Sequence, residues 1–140
     1  DRVTKISIIN FLENSDNGYI QITNFLSFNL IWNEGIAFGL FSFNQELYYN
    51  FLTIIIILVT TIILWMIIKT KGLEKIAFLM IFGGSLGNIF DRLVYSSVPD
   101  FIDLHYNNFN WFIFNVADIF ISIGIILLIY LEFFKKKINE

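Results

Sequence analysis

Asp100 and Asp118 are the two residues whose chemistry can be read most directly from this sequence. They lie 18 positions apart in a chain of 140 residues that has no cysteine and a single histidine, His105. The lack of cysteine excludes disulfides and thiolate nucleophiles, and one histidine excludes every His-pair metal motif. Two carboxyl groups held close together cannot both ionise cheaply, so one retains a proton while the other acts as a base. Such a pair can activate water and protonate a leaving amine, which is the chemistry of aspartic proteases.

Two sets of polar residues interrupt otherwise apolar segments, and each set falls on one face of a predicted helix. The sets are Asn88, Asp91 and Arg92, and then Asn115, Asp118 and Ser122. A charged side chain within a membrane helix costs about 2.5–3.5 kcal/mol on insertion scales, so it usually faces the protein interior and serves a function. On spacing alone, Asp118 is either catalytic or a buried structural residue hydrogen-bonded to Asn88 or Asn115, and Arg92 is either a site cation or an interfacial arginine.

The composition indicates an integral membrane protein. Hydrophobic residues make up 56% of the chain and charged residues only 15%, with a mean hydropathy of +0.69. A soluble domain has about 25% charged residues, so this chain lacks the polar cover of a water-facing surface. Its net charge of −3 offers no basic face for nucleic acid.

Three membrane-spanning helices are predicted, numbered from the second of a four-helix bundle: helix 2 at 47–68, helix 3 at 76–95 and helix 4 at 111–134. The first of these is a run of 22 residues without a charge, long enough to cross a hydrocarbon core of about 30 Å. Six of the nine Lys and Arg residues lie in the segments 69–75 and 135–140. The positive-inside rule therefore places these two segments in the cytoplasm.

The remaining segments are then expected outside the cytoplasm. Residues 13–46 form a β-rich segment in which 18–23 and 28–32 read as short strands, and residues 96–110 form an outer loop. A chain whose first long segment lies outside needs an earlier span. We therefore expect residues 1–12 to be the end of a first helix that is largely missing from this sequence. Gly83, Gly84 and Gly87 offer a close-packing surface within helix 3.

The polar motifs resemble those of lipoprotein signal peptidase, also called signal peptidase II. Gly87-Asn-Ile-Phe-Asp-Arg92, Val98-Pro-Asp-Phe-Ile-Asp103 and Phe114-Asn-Val-Ala-Asp118 occur in the order and spacing of that family. Asn33-Glu-Gly-Ile-Ala-Phe38 is similar to its Asn-x-Gly-Ala-Ala-Phe segment, and Asp1-Arg-Val-Thr-Lys5 to its Asp-Gln-x-Ser/Thr-Lys motif. The resemblance covers essentially the whole chain. It departs from the family at Arg2, where glutamine is usual.

The resemblance implies a four-helix membrane aspartic endopeptidase with a small extracytoplasmic β-cradle, placed in the bacterial inner membrane with its active site on the extracytoplasmic face. The implied substrates are prolipoproteins already modified with diacylglycerol, cleaved just before the lipidated cysteine. Asp100 and Asp118 would be the catalytic pair. On the residues alone, Arg92 is the only positive charge between Lys75 and Lys135, and therefore the only cation expected near the pair. The family's pocket-lining residues match Asn33, Asn88, Arg92 and Asn115, and its other motif residues match Asp1, Lys5, Gly35, Gly87 and Asp91.

The same resemblance implies no metal and no organic cofactor. Membrane lipids and globomycin-type inhibitors are the other expected partners, and a monomer is expected. Two further functions stay open on the residues alone. A small proton-coupled transporter or channel subunit would place Asp118 near the membrane midplane, and an inert scaffold would use the polar patch to bind a partner helix.

Overall fold

A computed structural model of the chain describes residues 1–13, 18–35, 45–106 and 109–139. The expected outer segments 13–46 and 96–110 are therefore described in part, and Ile36, Ala37 and Phe38 of the Asn33–Phe38 motif lie outside the described residues. The elements run in the order α1 (Arg2–Glu13), β1 (Tyr19–Gln21), β2 (Leu26–Asn33), α2 (Gln45–Lys69), α3 (Gly72–Tyr95), β3 (Val98–Tyr106), β4 (Phe109–Phe114) and α4 (Val116–Asn139).

Three helices in the described ranges are long and apolar enough to cross a membrane, namely Glu46–Lys69, Gly72–Tyr95 and Val116–Phe134. The shortest has 19 residues and is about 28 Å long, which is close to the thickness of the hydrocarbon core. Large apolar side chains such as Leu58 and Ile126 are more than half exposed, which suits contact with lipid. Together with a small antiparallel sheet, these helices confirm the predicted fold class.

Helices α2 and α3 are joined by a very short turn. Gly72 takes a positive φ of 63°, a left-handed conformation in which a side chain would be strained. Lys71 before it is extended and acts as the N-cap position of α3. Helix α3 therefore starts at Gly72, four residues before the expected position 76, and much of the lysine-rich segment 69–75 is helical.

The outer segment after α3 differs most from the expectation. The predicted loop 96–110 contains strand β3, and the predicted start of the fourth helix at Trp111 lies in strand β4, so α4 begins at Val116. The aromatic run before Asn115 is apolar, but its backbone pairs with β3, as between Phe114 and Ile102. Asp118 consequently lies in the first turn of α4, nearer the N-terminus of the helix than expected.

The four strands form one antiparallel sheet in the order β1-β2-β3-β4. Strands β2 and β3 are neighbours in the sheet, but helices α2 and α3 lie between them in the sequence. Asn33 pairs with Val98, and Ile31 pairs with Asp100. This register brings the end of β2 beside the start of β3, directly after helix α3 ends.

Helices α3 and α4 approach each other closely at two glycines. A Cβ atom on Gly84 would lie 2.5 Å from the carbonyl oxygen of Ala117, and one on Gly124 would lie 2.7 Å from that of Ala77. Small residues allow such backbone approach in membrane helices. The predicted packing surface is therefore right for Gly84, whereas nothing lies within 4 Å of a Cβ on Gly83.

Gly84→Ala and Gly83→Ala form a matched pair that tests this contact. We expect Gly84→Ala to lower the free energy of unfolding by about 1–3 kcal/mol, because the added methyl overlaps backbone that cannot rotate away. Gly83→Ala should leave the stability of the detergent-solubilised protein nearly unchanged. Equal melting temperatures for the two variants would contradict the close approach of α3 and α4.

Candidate active site

Asp100 is held at the start of β3 by two amide side chains. The Nδ2 of Asn115 donates to its Oδ1 at 2.6 Å, and the Nδ2 of Asn33 donates to its Oδ2 at 2.8 Å. The residue is only 4% exposed. Burial raises the pKa of the Asp100 carboxyl, and the nearby charge of Asp118 raises it further, although the two amide donors and Lys5 act in the opposite direction.

Asn115 also forms the N-cap of helix α4. Its Oδ1 accepts a hydrogen bond from the backbone N–H of Asp118 at 3.2 Å, and the Oδ2 of Asp118 accepts one from the backbone N–H of Asn115 at 3.1 Å. This reciprocal pair is a capping box, with Asp118 at the third helical position. One asparagine side chain, which is fully buried, therefore contacts both aspartates and brings the strand carboxyl and the helix carboxyl together.

Asn88 on α3 supplies the remaining contact of Asp118. Its Nδ2 donates to the Oδ1 of Asp118 at 2.8 Å, while its Oδ1 accepts from the Nζ of Lys5 at 2.9 Å. Asp118 thus makes the bonds to Asn88 and Asn115 that a structural residue would make. Those bonds orient the carboxylate and leave its acid–base chemistry available, so they are compatible with both a structural and a catalytic Asp118.

A group of four charged residues lies behind Asn88, between α1, α3 and the start of α4, with Lys5 and Asp91 buried and Asp1 and Arg2 partly exposed. Lys5 is fully buried and pairs with Asp91 at 2.6 Å and with Asp1 at 2.9 Å. Arg2 pairs with the other oxygen of Asp91 and lies over the ring of Phe90. The two cations balance the two carboxylates, which is what permits their burial.

Asp1 links this charged group to α4, because its Oδ1 accepts from the backbone N–H of Ala117 at 3.1 Å. Gly87 permits that position, since a Cβ there would lie 2.5 Å from the Oδ2 of Asp1. Asp1, Lys5, Gly87 and Asp91, which the resemblance groups as motif residues, therefore meet in one place. The contacts of Lys5 and Arg2 were not predicted from the sequence, because they join α1 to residues of α3 that are distant along the chain.

Arg92 is not the only cation near the aspartates, in contrast to the expectation from sequence. Within the described ranges no carboxylate lies within 4 Å of its guanidinium. Instead it is close to Gly35, where a Cβ would be 3.8 Å from its Nη2. Gly35 has a positive φ of 77° and donates its N–H to the Oδ1 of Asn33. Lys5 is one amide away from Asp118, because Asn88 contacts both residues.

A second polar cluster, made of Ser27, Asp103 and His105, lies elsewhere on the sheet. The Oγ of Ser27 contacts the Oδ2 of Asp103 at 3.4 Å and the Nδ1 of His105 at 3.5 Å. In a serine hydrolase the histidine stands between the serine and the carboxylate, whereas here the serine stands between the other two. Ser27 is also fully buried. This cluster does not have the arrangement of a hydrolytic triad.

A groove of about 410 Å³ opens beside Asp118, lined otherwise by residues of β4 and α4 such as Phe112, Ile119 and Ser122. The carboxyl is therefore reachable from a largely apolar surface next to the spanning helices. The fold and this site are those of an integral membrane protein in which two aspartates contact one asparagine where the spanning helices meet a small sheet.

Comparison with known proteins identifies the family. The family profile described as signal peptidase (SPase) II matches residues 1–134, which confirms the resemblance of the motifs. The chain therefore belongs to the signal peptidase II family and is an aspartic peptidase of the membrane.

Individual relatives agree with this assignment. The lipoprotein signal peptidase of Pelagibacter ubique (strain HTCC1062) is 50% identical over 142 residues, covering 100% of this chain and 86% of the relative. That of Thermodesulfovibrio yellowstonii is 43% identical, covering 93% of this chain and 84% of the relative. Two solved bacterial membrane enzymes have the same fold. One has a TM-score of 0.79 at 29% identity, with 100% of this chain and 84% of that one covered. The other has a TM-score of 0.71 at 28% identity, with 91% of each chain covered.

Substitution of Asn115 separates its two roles. Asn115→Ser keeps a side-chain oxygen that can cap α4 but cannot reach Asp100, whereas Asn115→Ala removes both functions. We expect both variants to lose peptidase activity by about 100-fold, because a preorganised donor at the site is gone. Only Asn115→Ala should lose the further stability of the cap, about 1 kcal/mol. Near-normal activity in Asn115→Ser, measured beside its thermal unfolding, would contradict the bridging role.

Proposed function

We propose that this chain removes the signal peptide from diacylglyceryl-modified prolipoproteins, cleaving just before the lipidated cysteine, with Asp100 and Asp118 as the catalytic pair. The observation that carries the proposal is that Asn115 donates to both carboxyl groups, from its side-chain Nδ2 to Asp100 and from its backbone N–H to Asp118. The family and its relatives, which are named lipoprotein signal peptidases, support the class of substrate.

The proposed reaction needs one proton shared by the pair. The ionised carboxylate takes a proton from a water molecule as the water oxygen attacks the scissile carbonyl carbon, and the protonated carboxyl donates to the carbonyl oxygen. The tetrahedral intermediate then collapses, the C–N bond breaks, and the amine of the cysteine leaves with a proton from the pair. Burial of Asp100 favours retention of the shared proton without assigning it to one residue.

Arg92 is a candidate to bind the substrate backbone. Its Nε is buried and has no hydrogen-bond partner among the described residues. A buried donor without a partner is costly, and a carbonyl oxygen of an extended peptide would satisfy it. Asn33, Asn88 and Asn115 line the same region, but their Nδ2 groups already donate to the aspartates. We therefore assign them to holding the pair and Arg92 to holding the peptide.

The proposed location is the extracytoplasmic face of the bacterial inner membrane. Asp91 and Arg92 lie in the last turns of α3, and Asp118 lies in the first turn of α4. This end is opposite to the short turn between α2 and α3 that carries Lys71. The scissile bond of a lipidated precursor lies at this depth, with its acyl chains among membrane lipids. A position at the helix ends argues against the transporter alternative, since transport sites usually lie near the midplane.

Cysteine labelling tests this orientation, because the chain has no cysteine of its own. Lys71→Cys and Tyr106→Cys place one thiol in each of two exposed regions. In intact cells a membrane-impermeant thiol reagent should label Tyr106→Cys and leave Lys71→Cys unlabelled until the cells are opened. The opposite pattern would contradict the proposed face.

The catalytic pair is tested by three asparagine variants. Asp100→Asn and Asp118→Asn should each lose cleavage of a diacylglyceryl prolipoprotein by about 10⁴-fold or more, because an amide cannot act as a base. Asp103→Asn is the matched control, since Asp103 is as buried as Asp100 and lies on the same strand, but contacts Ser27. It should retain most of the activity. Cleavage by either of the first two variants would contradict the mechanism. If the unmodified protein is folded but also inactive, the scaffold alternative is favoured.

The dependence of kcat on pH gives an independent test. One proton must be kept on the pair, so activity should fall as pH rises through the higher apparent pKa. Burial raises the pKa of Asp100, and that loss should therefore occur above the pH at which an ordinary aspartate ionises. The profile should be bell-shaped.

Inhibitors give a further test. Globomycin should inhibit cleavage and chelators should not, whereas EDTA inhibition that zinc reverses would contradict the account.

A further inference from the structure

Lys5 makes no hydrogen bond or ion pair with Asp100 or Asp118 among the described residues, yet only the amide of Asn88 separates it from Asp118. Its Nζ lies 2.9 Å from the Oδ1 of Asn88, 2.6 Å from the Oδ2 of Asp91 and 2.9 Å from the Oδ2 of Asp1. An ammonium group has three N–H donors and no acceptor. This fully buried lysine donates hydrogen bonds to Asp91 and to the neutral amide of Asn88. Asp1 is its second ion-pair partner, although the Oδ2 of Asp1 accepts no hydrogen bond among the described residues.

The contact with Asn88 decides which way its amide points. A lysine ammonium can only donate, so it requires the Oδ1 of Asn88 on its own side. The Nδ2 is then directed to the opposite side, where it donates to the Oδ1 of Asp118 at 2.8 Å. A flipped amide would place its NH₂ group against the ammonium and its oxygen against the carboxylate, so both contacts would become repulsive.

The oriented amide completes the support of Asp118. The Oδ1 of Asp118 accepts from Asn88, and its Oδ2 accepts from the backbone N–H of Asn115 at 3.1 Å. Two donors from different elements fix the plane of the carboxylate. Without Lys5, Asn88 could rotate and present its oxygen to Asp118, and one of the two supports would be lost.

We propose that Lys5 is a positioning residue for peptide cleavage, which acts by orienting the Asn88 amide so that it holds Asp118. The proposal rests on the proposed function, because it assumes that Asp118 belongs to the catalytic pair. It goes further by giving the buried charged group a task beyond joining α1 to α3. The ion pairs with Asp1 and Asp91 would join the helices equally well if Asn88 were apolar.

A double-mutant cycle on kcat tests the route through Asn88. Lys5→Met removes the ammonium while keeping an unbranched side chain, and Asn88→Leu removes the amide at similar volume. We expect Lys5→Met to lower kcat by about tenfold or more, because a misplaced carboxylate loses alignment. The KM for the diacylglyceryl prolipoprotein should stay within about twofold, and Lys5→Met should cause less than about a twofold further loss in the Asn88→Leu background. Independent, multiplicative losses would overturn the proposal.

Arg2→Met is the matched control, since Arg2 is the other cation paired with Asp91 and makes no contact with Asn88 among the described residues. It should weaken the charged group and lower the melting temperature, while kcat changes by less than about twofold. A kcat loss in Arg2→Met as large as that in Lys5→Met would show a merely structural effect and overturn the proposal.

Lys5→Met leaves a buried carboxylate without its cation, so the folded yield can be lost. The same cycle is then run with Asp91→Asn present throughout, which removes that uncompensated charge, and the same outcomes apply. Failure of the proposed function is detected separately, by the activity of Asp118→Asn in the protein that keeps Asp91. If Asp118→Asn still cleaves, the catalytic assignment fails. If Asp118→Asn is inactive but Lys5→Met keeps the wild-type kcat, only the positioning role fails.

Discussion

A carboxyl group buried beside membrane helices must find its hydrogen-bond donors within the protein, and here the donors are asparagine amides. Asn115 is the one on which most of the arrangement depends, because its oxygen caps α4 and its nitrogen donates to Asp100. The cap determines where α4 begins, and therefore where Asp118 lies. The donor holds β3 at that point. Helix start, strand position and the approach of the two aspartates are consequences of the same side chain.

The charged group behind Asn88 extends this logic to full charges. Lys5, Asp1 and Asp91 are buried together, and Arg2 brings the sum of their formal charges to zero. A buried ion pair contributes little net stability compared with apolar packing, but removal of one partner is strongly destabilising. Its value here is geometric, since it ties α1 to α3 and α4 and leaves one lysine donor directed at Asn88. Close approach of α3 and α4 at Gly84 and Gly124 brings Asn88 within reach of Asp118.

Much of this could be predicted from local pattern. The spacing of Asn115 and Asp118 placed them on one face of the last helix, although not at its start, and the apolar runs marked the spans. The strand β4 could not be distinguished from the start of the next helix, because a short apolar run suits a buried helix or a strand equally. The contact of Lys5 with Asn88 joins residues 83 positions apart, and nothing local to either residue indicates it. Likewise, spacing did not show that Gly84, and not Gly83, faces α4.

The most direct test of the central claim, that Asp100 and Asp118 act as one unit, is the cleavage rate of the double variant Asp100→Asn/Asp118→Asn. It is measured on a diacylglyceryl prolipoprotein beside each single variant. Residues that act as a unit are strongly non-additive, so loss of the second should cost almost nothing after loss of the first. The account predicts that the residual rate of the double variant equals that of the slower single variant. A residual rate that falls as the product of the two single losses would contradict it.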